Sequence, residues 1–270
     1  MWQFTVAGSI WRIVTDGVQH LIGEERDVQH RRASFFCLEC RTGKVRWSGR
    51  RFGEDWWIGI EASAGGILYL HGFATPELPG HRGITAVDVR TGEVLWADEQ
   101  MVFLEASQDR LHAGRGGVTG NQISEVDPRS GKVRKTFVGD DGLLLSIRDA
   151  GSAASDHAAV PLPLPEGEAG GGWIPRRARE RSDAEMIHYI DHPVTPVITS
   201  SVSRAPAVGD IPSRDRLLEV IDRGTGALLL AETLSSGAHW PGREAVFVLQ
   251  NTLYYVKGHN TLSAVILGER

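Results

Sequence analysis

Apolar and polar residues in this chain alternate over short runs, and most runs end at glycine, proline or an acidic residue. A period of two is the pattern of strands with a buried face. The stretch Gly83–Asp98, GITAVDVRTGEVLWAD, shows the unit. Ile84–Asp88 is β-branched and mostly apolar, which suits a strand buried on at least one face. Asp88-Val89-Arg90-Thr91-Gly92 then supplies a turn. The carboxylate can accept bonds from backbone N–H groups ahead of it, and Gly92 can take a positive φ without a Cβ clash, closing a bulged hairpin. Glu93–Trp96 returns as the partner strand, with Val94 and Trp96 expected on one face.

The unit recurs at Phe35–Trp47, Ile123–Lys135 and Leu218–Leu230. Aligned on Thr42-Gly43, Thr91-Gly92, Ser130-Gly131 and Thr225-Gly226, the columns agree. Three residues before the Thr or Ser stands an acid: Glu39, Asp88, Asp127 or Asp222. Apolar columns hold Leu38, Val87, Val126 and Ile221, then Phe35, Ile84, Ile123 and Leu218, then Val45, Val94, Val133 and Leu228. Trp47 matches Trp96. The copies lie 49, 39 and 95 residues apart, the last being two units or one with an insertion. Periods of about 40–50 residues with four strands per unit belong to β-propellers.

The columns resemble the outer hairpin of quinoprotein-like (PQQ-type) propeller repeats: a strand, Asp-x-x-Thr-Gly, then a strand ending in Trp. The whole chain also resembles a bacterial family of uncharacterised proteins, on the N-terminal Trp-rich strand and on His71–Trp96, Ile187–Ser203 and Phe247–Leu267. That resemblance implies a fold and no mechanism.

In chain order, Ile10–Thr15, His20–Arg26, Ala33–Glu39 and Lys44–Ser48 make the first blade. Trp56–Ile60, Ile67–Leu70 and the organising hairpin make the second, with His71–Arg82 as a long loop. Met101–Ala106, Arg110–Ala113 and Gln122–Phe137 make the third. Residues 139–183 read as an irregular Pro/Gly-rich insertion, in which Leu143–Ile147 could be a strand. Glu185–Ile190, Val197–Val202 and Leu217–Leu230 follow. Ala245–Gln250, Leu253–Lys257 and Thr261–Leu267 supply three strands of a last blade, and Trp2–Ala7 fits as its fourth. The expected architecture is all-β: one propeller domain over residues 1–270, with five blades, or six if Leu143–Pro165 forms one. Its ring is closed by the N-terminal strand, which removes two free sheet edges.

Composition changes little. The chain has 270 residues, 41% hydrophobic and 23% charged, with a net charge of −5. That balance offers no support for general nucleic-acid or membrane affinity. No apolar run approaches the length of a membrane span, and Met1–Phe4 lacks a basic leader region. Two cysteines do not make a disulfide framework. A cytoplasmic monomer is the expectation.

Candidate chemistry is sparse. Cys37-Leu38-Glu39-Cys40 is a CxxC on a strand, with the thiols on opposite faces and no second pair, so two incidental cysteines are expected. The ten histidines show no HExxH. His71 and His81 bracket the long loop, and His188 and His192 bracket a strand end. Glu24-Glu25-Arg26-Asp27 follows a strand and could face a central channel, or could hold a loop in place. Trp56-Trp57 could put one indole in the core and offer the other for stacking. Gly114–Gly120 lacks the Gly-Lys-Ser/Thr of a phosphate loop, Arg176–Arg181 reads as solvated, and no GxSxG occurs.

These readings favour a non-enzymatic module that binds a protein or a small ligand through loops on one face of the ring, without cofactor or metal. The alternative is a central-channel enzyme, either a degenerate quinoprotein-like oxidoreductase or a metal-assisted hydrolase or lyase. Glu24, Arg26, Trp56, His71 and His188 lie near predicted strand ends that could converge on one opening, and are the candidate ligand-binding residues.

Overall fold

The computed structural model describes residues 1–17, 19–75, 78–115, 122–138, 158–163, 184–203, 214–237 and 246–268. Among them every regular element is a β-strand, and the strands form five antiparallel sheets. The all-β expectation holds. Strand β1 (Trp2–Thr5) precedes a first sheet of β2 (Ser9–Asp16), β3 (His20–Asp27), β4 (Arg32–Glu39) and β5 (Val45–Arg50). The second sheet is β6 (Ile58–Ala64), β7 (Ile67–Thr75), β8 (Leu78–Asp88) and β9 (Val94–Asp98). The third is β10 (Met101–Ala106), β11 (Leu111–Arg115), β12 (Gln122–Val126) and β13 (Val133–Val138). Each is a simple meander.

Short segments β14 (Ala158–Ala159) and β15 (Leu162–Pro163) come next, then β16 (Ala184–Ile190), β17 (Val197–Ser203), β18 (Arg214–Ile221) and β19 (Leu228–Gly237). The chain ends with β20 (Val246–Leu249), β21 (Thr252–Lys257) and β22 (Thr261–Ile266). The fourth sheet runs β15-β16-β17-β18-β19 and the fifth β1-β22-β21-β20-β14. As expected, the N-terminal strand pairs with the last one, Trp2 opposite Ala264 and Thr5 opposite Thr261. The chain divides into two compact units, Gly8–His157 and Met1–Ala7 with Ala158–Arg270. Leu143–Ile147, Gly116–Gly120 and Arg176–Arg181 lie outside the described residues.

The four hairpins are equivalent in detail. Gly43, Gly92, Gly131 and Gly226 have φ of 68°, 70°, 68° and 72°. Each donates its N–H to the carbonyl of Glu39, Asp88, Asp127 or Asp222 at 2.8–2.9 Å. The acidic side chain completes the turn: Asp88 Oδ1 accepts from the N–H groups of Arg90 and Thr91, both at 3.0 Å. Asp127 accepts from Ser130 N and Oγ, both at 2.8 Å, and Asp222 from Thr225 N and Oγ1, both at 2.7 Å. Leu38, Val87, Val126 and Ile221 are fully buried, while Val45, Val94, Val133 and Leu228 stand opposite them and are all exposed. A register shift in each hairpin resets the two-residue period, so Val94 does not share the packed position of Trp96.

Tryptophan joins the first three sheets. The Trp47 ring on β5 lies against Gly92, where a Cβ would sit 2.9 Å from Cδ2, and its Nε1 donates to Val89 O at 2.7 Å. Trp96 on β9 repeats this on the next turn: a Cβ at Gly131 would lie 2.7 Å from Cδ2, and Nε1 donates to Pro128 O at 2.7 Å. The second sheet is covered on both faces. Leu68, Leu70 and Val87 pack with Phe35, Cys37 and Trp47 of the first sheet. Ile67, Tyr69 and Ala86 pack with Met101, Leu111 and Val126 of the third. Successive residues of one strand thus enter different cores.

Two expectations need correction. Residues 71–82 are not a long loop, because β7 continues to Thr75 and β8 begins at Leu78. Glu24–Asp27 does not follow a strand but lies inside β3, paired on both sides.

Gly92→Ala should therefore cost more than Gly226→Ala. Both carry about 1–2 kcal/mol of left-handed strain, but nothing lies within 4 Å of a Cβ at Gly226, while Gly92 adds roughly 1–3 kcal/mol of overpacking against Trp47. Urea unfolding of the two variants measures the difference. Acid supplies a second test. Hydrogen bonds from Ser130, then Arg134, hold the Asp127 carboxyl at about 2, below its ordinary 3.8. With the folded-state value depressed, its stabilisation is complete above the ordinary value and is lost as pH falls through about 2. Ser130→Ala should flatten this acid dependence in urea titrations over the same window.

Candidate functional site

β6 is the edge strand of the second sheet, so its outer backbone groups lack a strand partner. Side chains from the first sheet take the place of that strand. Arg12 on β2 donates from Nη1 to Ile60 O at 2.7 Å, and Ile60 N donates to Glu24 Oε2 at 2.9 Å. Arg26 donates from Nη1 to Trp56 O and from Nη2 to Ile58 O. Its Nε donates to Glu24 Oε1 at 2.6 Å. Glu24 and Arg26, two residues apart on one face of β3, are buried at 2% and 8% exposure. The guanidinium also lies 5.0 Å from the centre of the Trp56 ring.

Of the five residues singled out from the sequence, Glu24, Arg26 and Trp56 thus meet in one network. The network ties two sheets together, and its two charges are spent on each other and on backbone. His71 stands beside it. A Cβ at Gly59 would meet His71 Nε2 at 3.2 Å and Glu24 Oε2 at 3.4 Å, so both groups close on the same glycine. His188 does not join them. It lies in the other unit, lining a small pocket with Pro161, Thr199, Arg216 and Val246 that has room for about one water. His192 is buried, and its Nδ1 accepts from Thr195 N at 3.1 Å, which braces a turn. Both indoles of Trp56-Trp57 are half-buried in the bend before β6, so neither fills the core.

One constellation escaped the sequence reading. Pairing of β6, β7 and β8 brings Glu61, His71 and His81 together. His71 Nδ1 lies 2.7 Å from Glu61 Oε2 and His81 Nδ1 lies 2.8 Å from the same oxygen. The two imidazoles stack at 3.5 Å between centres and 7° between planes. Phe73 packs edge-on to both, and Trp57 edge-on to Phe73. Burial pushes the Glu61 carboxyl up, but its contacts with His71 and His81 outweigh this and hold it below the usual carboxylate range. Glu61 sits at a bulge between Ile60 and Ala62, which breaks the alternation that would have flagged it.

Cys37 and Cys40 are both free. Both are buried thiols, and burial, then Asp16 and Cys40, push the Cys37 thiol up to about 12, which disfavours its thiolate.

Residues 14–96 match the family model of DUF4905, a domain of unknown function. The matched segment contains Glu24, Arg26, Trp56, Glu61, His71 and His81. No curated protein matches the chain. Among solved structures, the β-propeller domain of the trilobed protease from Pyrococcus furiosus aligns with 98% of this chain and 70% of its own, at 11% identity and a TM-score of 0.33. The Dos1 propeller aligns with 96% of this chain and 69% of its own, at 12% identity and a TM-score of 0.32.

Arg26→Ala should cost about 3–5 kcal/mol, because it strands a buried carboxylate and two backbone carbonyls. Adding Glu24→Ala should cost less than the sum of the two single losses, since the pair acts as a unit. Urea unfolding of the two single variants and the double variant checks both.

Proposed function

We propose that this chain is a single five-bladed β-propeller, closed by β1, that serves as a non-enzymatic binding module for a protein or small ligand. The four equivalent turns, the two tryptophan bridges and the β1–β22 pairing support the ring. The Asp-x-x-Thr-Gly line ending in Trp supports a PQQ-like repeat. A reducing, cytoplasmic setting suits the two buried thiols. Among the described residues no helix is long and apolar enough to cross a membrane.

The observation that carries the binding role is a continuous patch running from the β3–β4 turn and the bend before β6 onto the second sheet. The Arg31 guanidinium lies 5.9 Å from the centre of the Trp57 ring, Trp57 meets Phe73, and Phe73 meets His81, which contacts Glu61. The buried charges of Glu24 and Arg26 are consumed by structure, whereas this patch combines aromatic edges with polar groups that reach solvent. Such a mixture orients a ligand by stacking and fixes it by a few polar contacts.

Small-angle scattering tests the ring: one compact domain of 270 residues has a radius of gyration of about 18 Å, and a clearly larger value would sink it. For the binding role, a metabolite and peptide library is screened by thermal unfolding against the protein and against Trp57→Ala. A ligand present at about 100 times its Kd should add ~2.7 kcal/mol of stability to the parent and lose most of that in the variant. Hits that stabilise both equally would place recognition elsewhere.

A further inference from the structure

We propose that Glu61, His71 and His81 form a binding site for a first-row divalent transition metal, zinc foremost. Two imidazoles and one carboxylate are a donor set that such ions use while keeping positions open for water or a ligand. The three donor atoms lie within 4.8 Å of one another, on three adjacent strands of a rigid sheet. This site shares Glu61 and His81 with the patch above, but its test reads metal binding alone and does not require an organic ligand there.

A second observation points to an ion rather than to a plain hydrogen-bonded cluster. His71 is 6% exposed, and its Nδ1 is buried without an aligned hydrogen-bond partner, although Glu61 Oε2 is only 2.7 Å away. A buried ring nitrogen held against a carboxylate in poor alignment forgoes part of what a well-formed hydrogen bond would contribute. Coordination to a cation shared with that carboxylate satisfies both groups, because the nitrogen lone pair and the oxygen then face the same positive charge. The His71 ring also packs against Gly59, in the space that the Glu24 carboxylate approaches too. A ring already held in place loses little freedom on binding.

The stack sets one condition. A single ion cannot lie in the planes of two parallel rings 3.5 Å apart, so one imidazole must tilt as the ion enters. His81 is the ring free to do so, with 39% of its side chain exposed against 7% for His71. At metal–ligand distances of about 2.0–2.2 Å in tetrahedral geometry, the donor atoms also need to separate by roughly 0.5–0.9 Å from their present contacts of 2.7 and 2.8 Å.

The test uses the full chain, stripped with chelator and equilibrated with zinc, then with cobalt(II) as a spectroscopic substitute. The expected result is one ion bound per chain, with visible d–d bands for cobalt. His81→Ala and Glu61→Gln should each weaken binding by about tenfold or more, given that changes behind a ligand already cost about 10–100-fold. His112→Ala, which removes an imidazole paired with Glu105 alone among the described residues, should leave binding unchanged. His81 is partly exposed, so its variant is expected to fold, and thermal unfolding without metal verifies this. Absence of stoichiometric binding, or binding that survives both site variants, would overturn the proposal.

Discussion

The first three sheets depend on a turn closed by a glycine of positive φ and on the indole laid across it. At Gly92 and Gly131 a positive φ and the approach of a tryptophan ring coincide, so a Cβ is excluded twice over. The flat indole then donates its N–H to a carbonyl of the same turn, which fixes orientation as well as distance. Each tryptophan stands at the end of the preceding repeat, so the contact that finishes one hairpin also seats the next sheet. Where the Trp column holds Lys135 or Leu230, this bridge is not available. Among the described residues nothing lies within 4 Å of a Cβ placed at Gly226.

A second constraint comes from the edges of small sheets. Every four-stranded sheet exposes two rows of unpaired backbone groups, and each must be answered. On β6 the answer is side-chain chemistry: Arg12, Glu24 and Arg26 supply the donors and acceptors of a missing strand. On the last sheet the answer is β1, a true strand. In the fourth sheet β15 adds a two-residue ladder through Leu162 and Pro163, with proline tolerated because it sits at the margin. The same demand thus produced an ion pair in one place and extra strands in others.

These solutions shape where chemistry can occur. A carboxylate and guanidinium committed to backbone groups have no capacity left for a substrate, so Glu24 and Arg26 brace the neighbouring site instead of forming it. Among the described residues, the clustered imidazoles and carboxylate are those of Glu61, His71 and His81, on β6, β7 and β8 of the next sheet. Local side-chain packing links the two clusters at Gly59, whose missing side chain leaves the space that the His71 ring and the Glu24 carboxylate both approach.

Much of the fold was legible in the residue pattern, for a physical reason. Turn chemistry and strand alternation are local, so the acidic residue, the glycine and the buried columns at Leu38, Val87, Val126 and Ile221 announce the hairpins without any knowledge of the rest. Candidate residues were legible only by type. Glu24, Arg26 and His71 were picked out as polar groups near strand ends, but their burial and mutual contacts arise from pairing between strands far apart in sequence. Glu61 was invisible because a bulge removed it from the alternation, and the stacking of His71 on His81 required a register across β7 and β8 that no spacing encodes. Local sequence determined the repeating unit; tertiary structure alone decided which side chains face one another, since register and bulges are set by the packing of whole sheets.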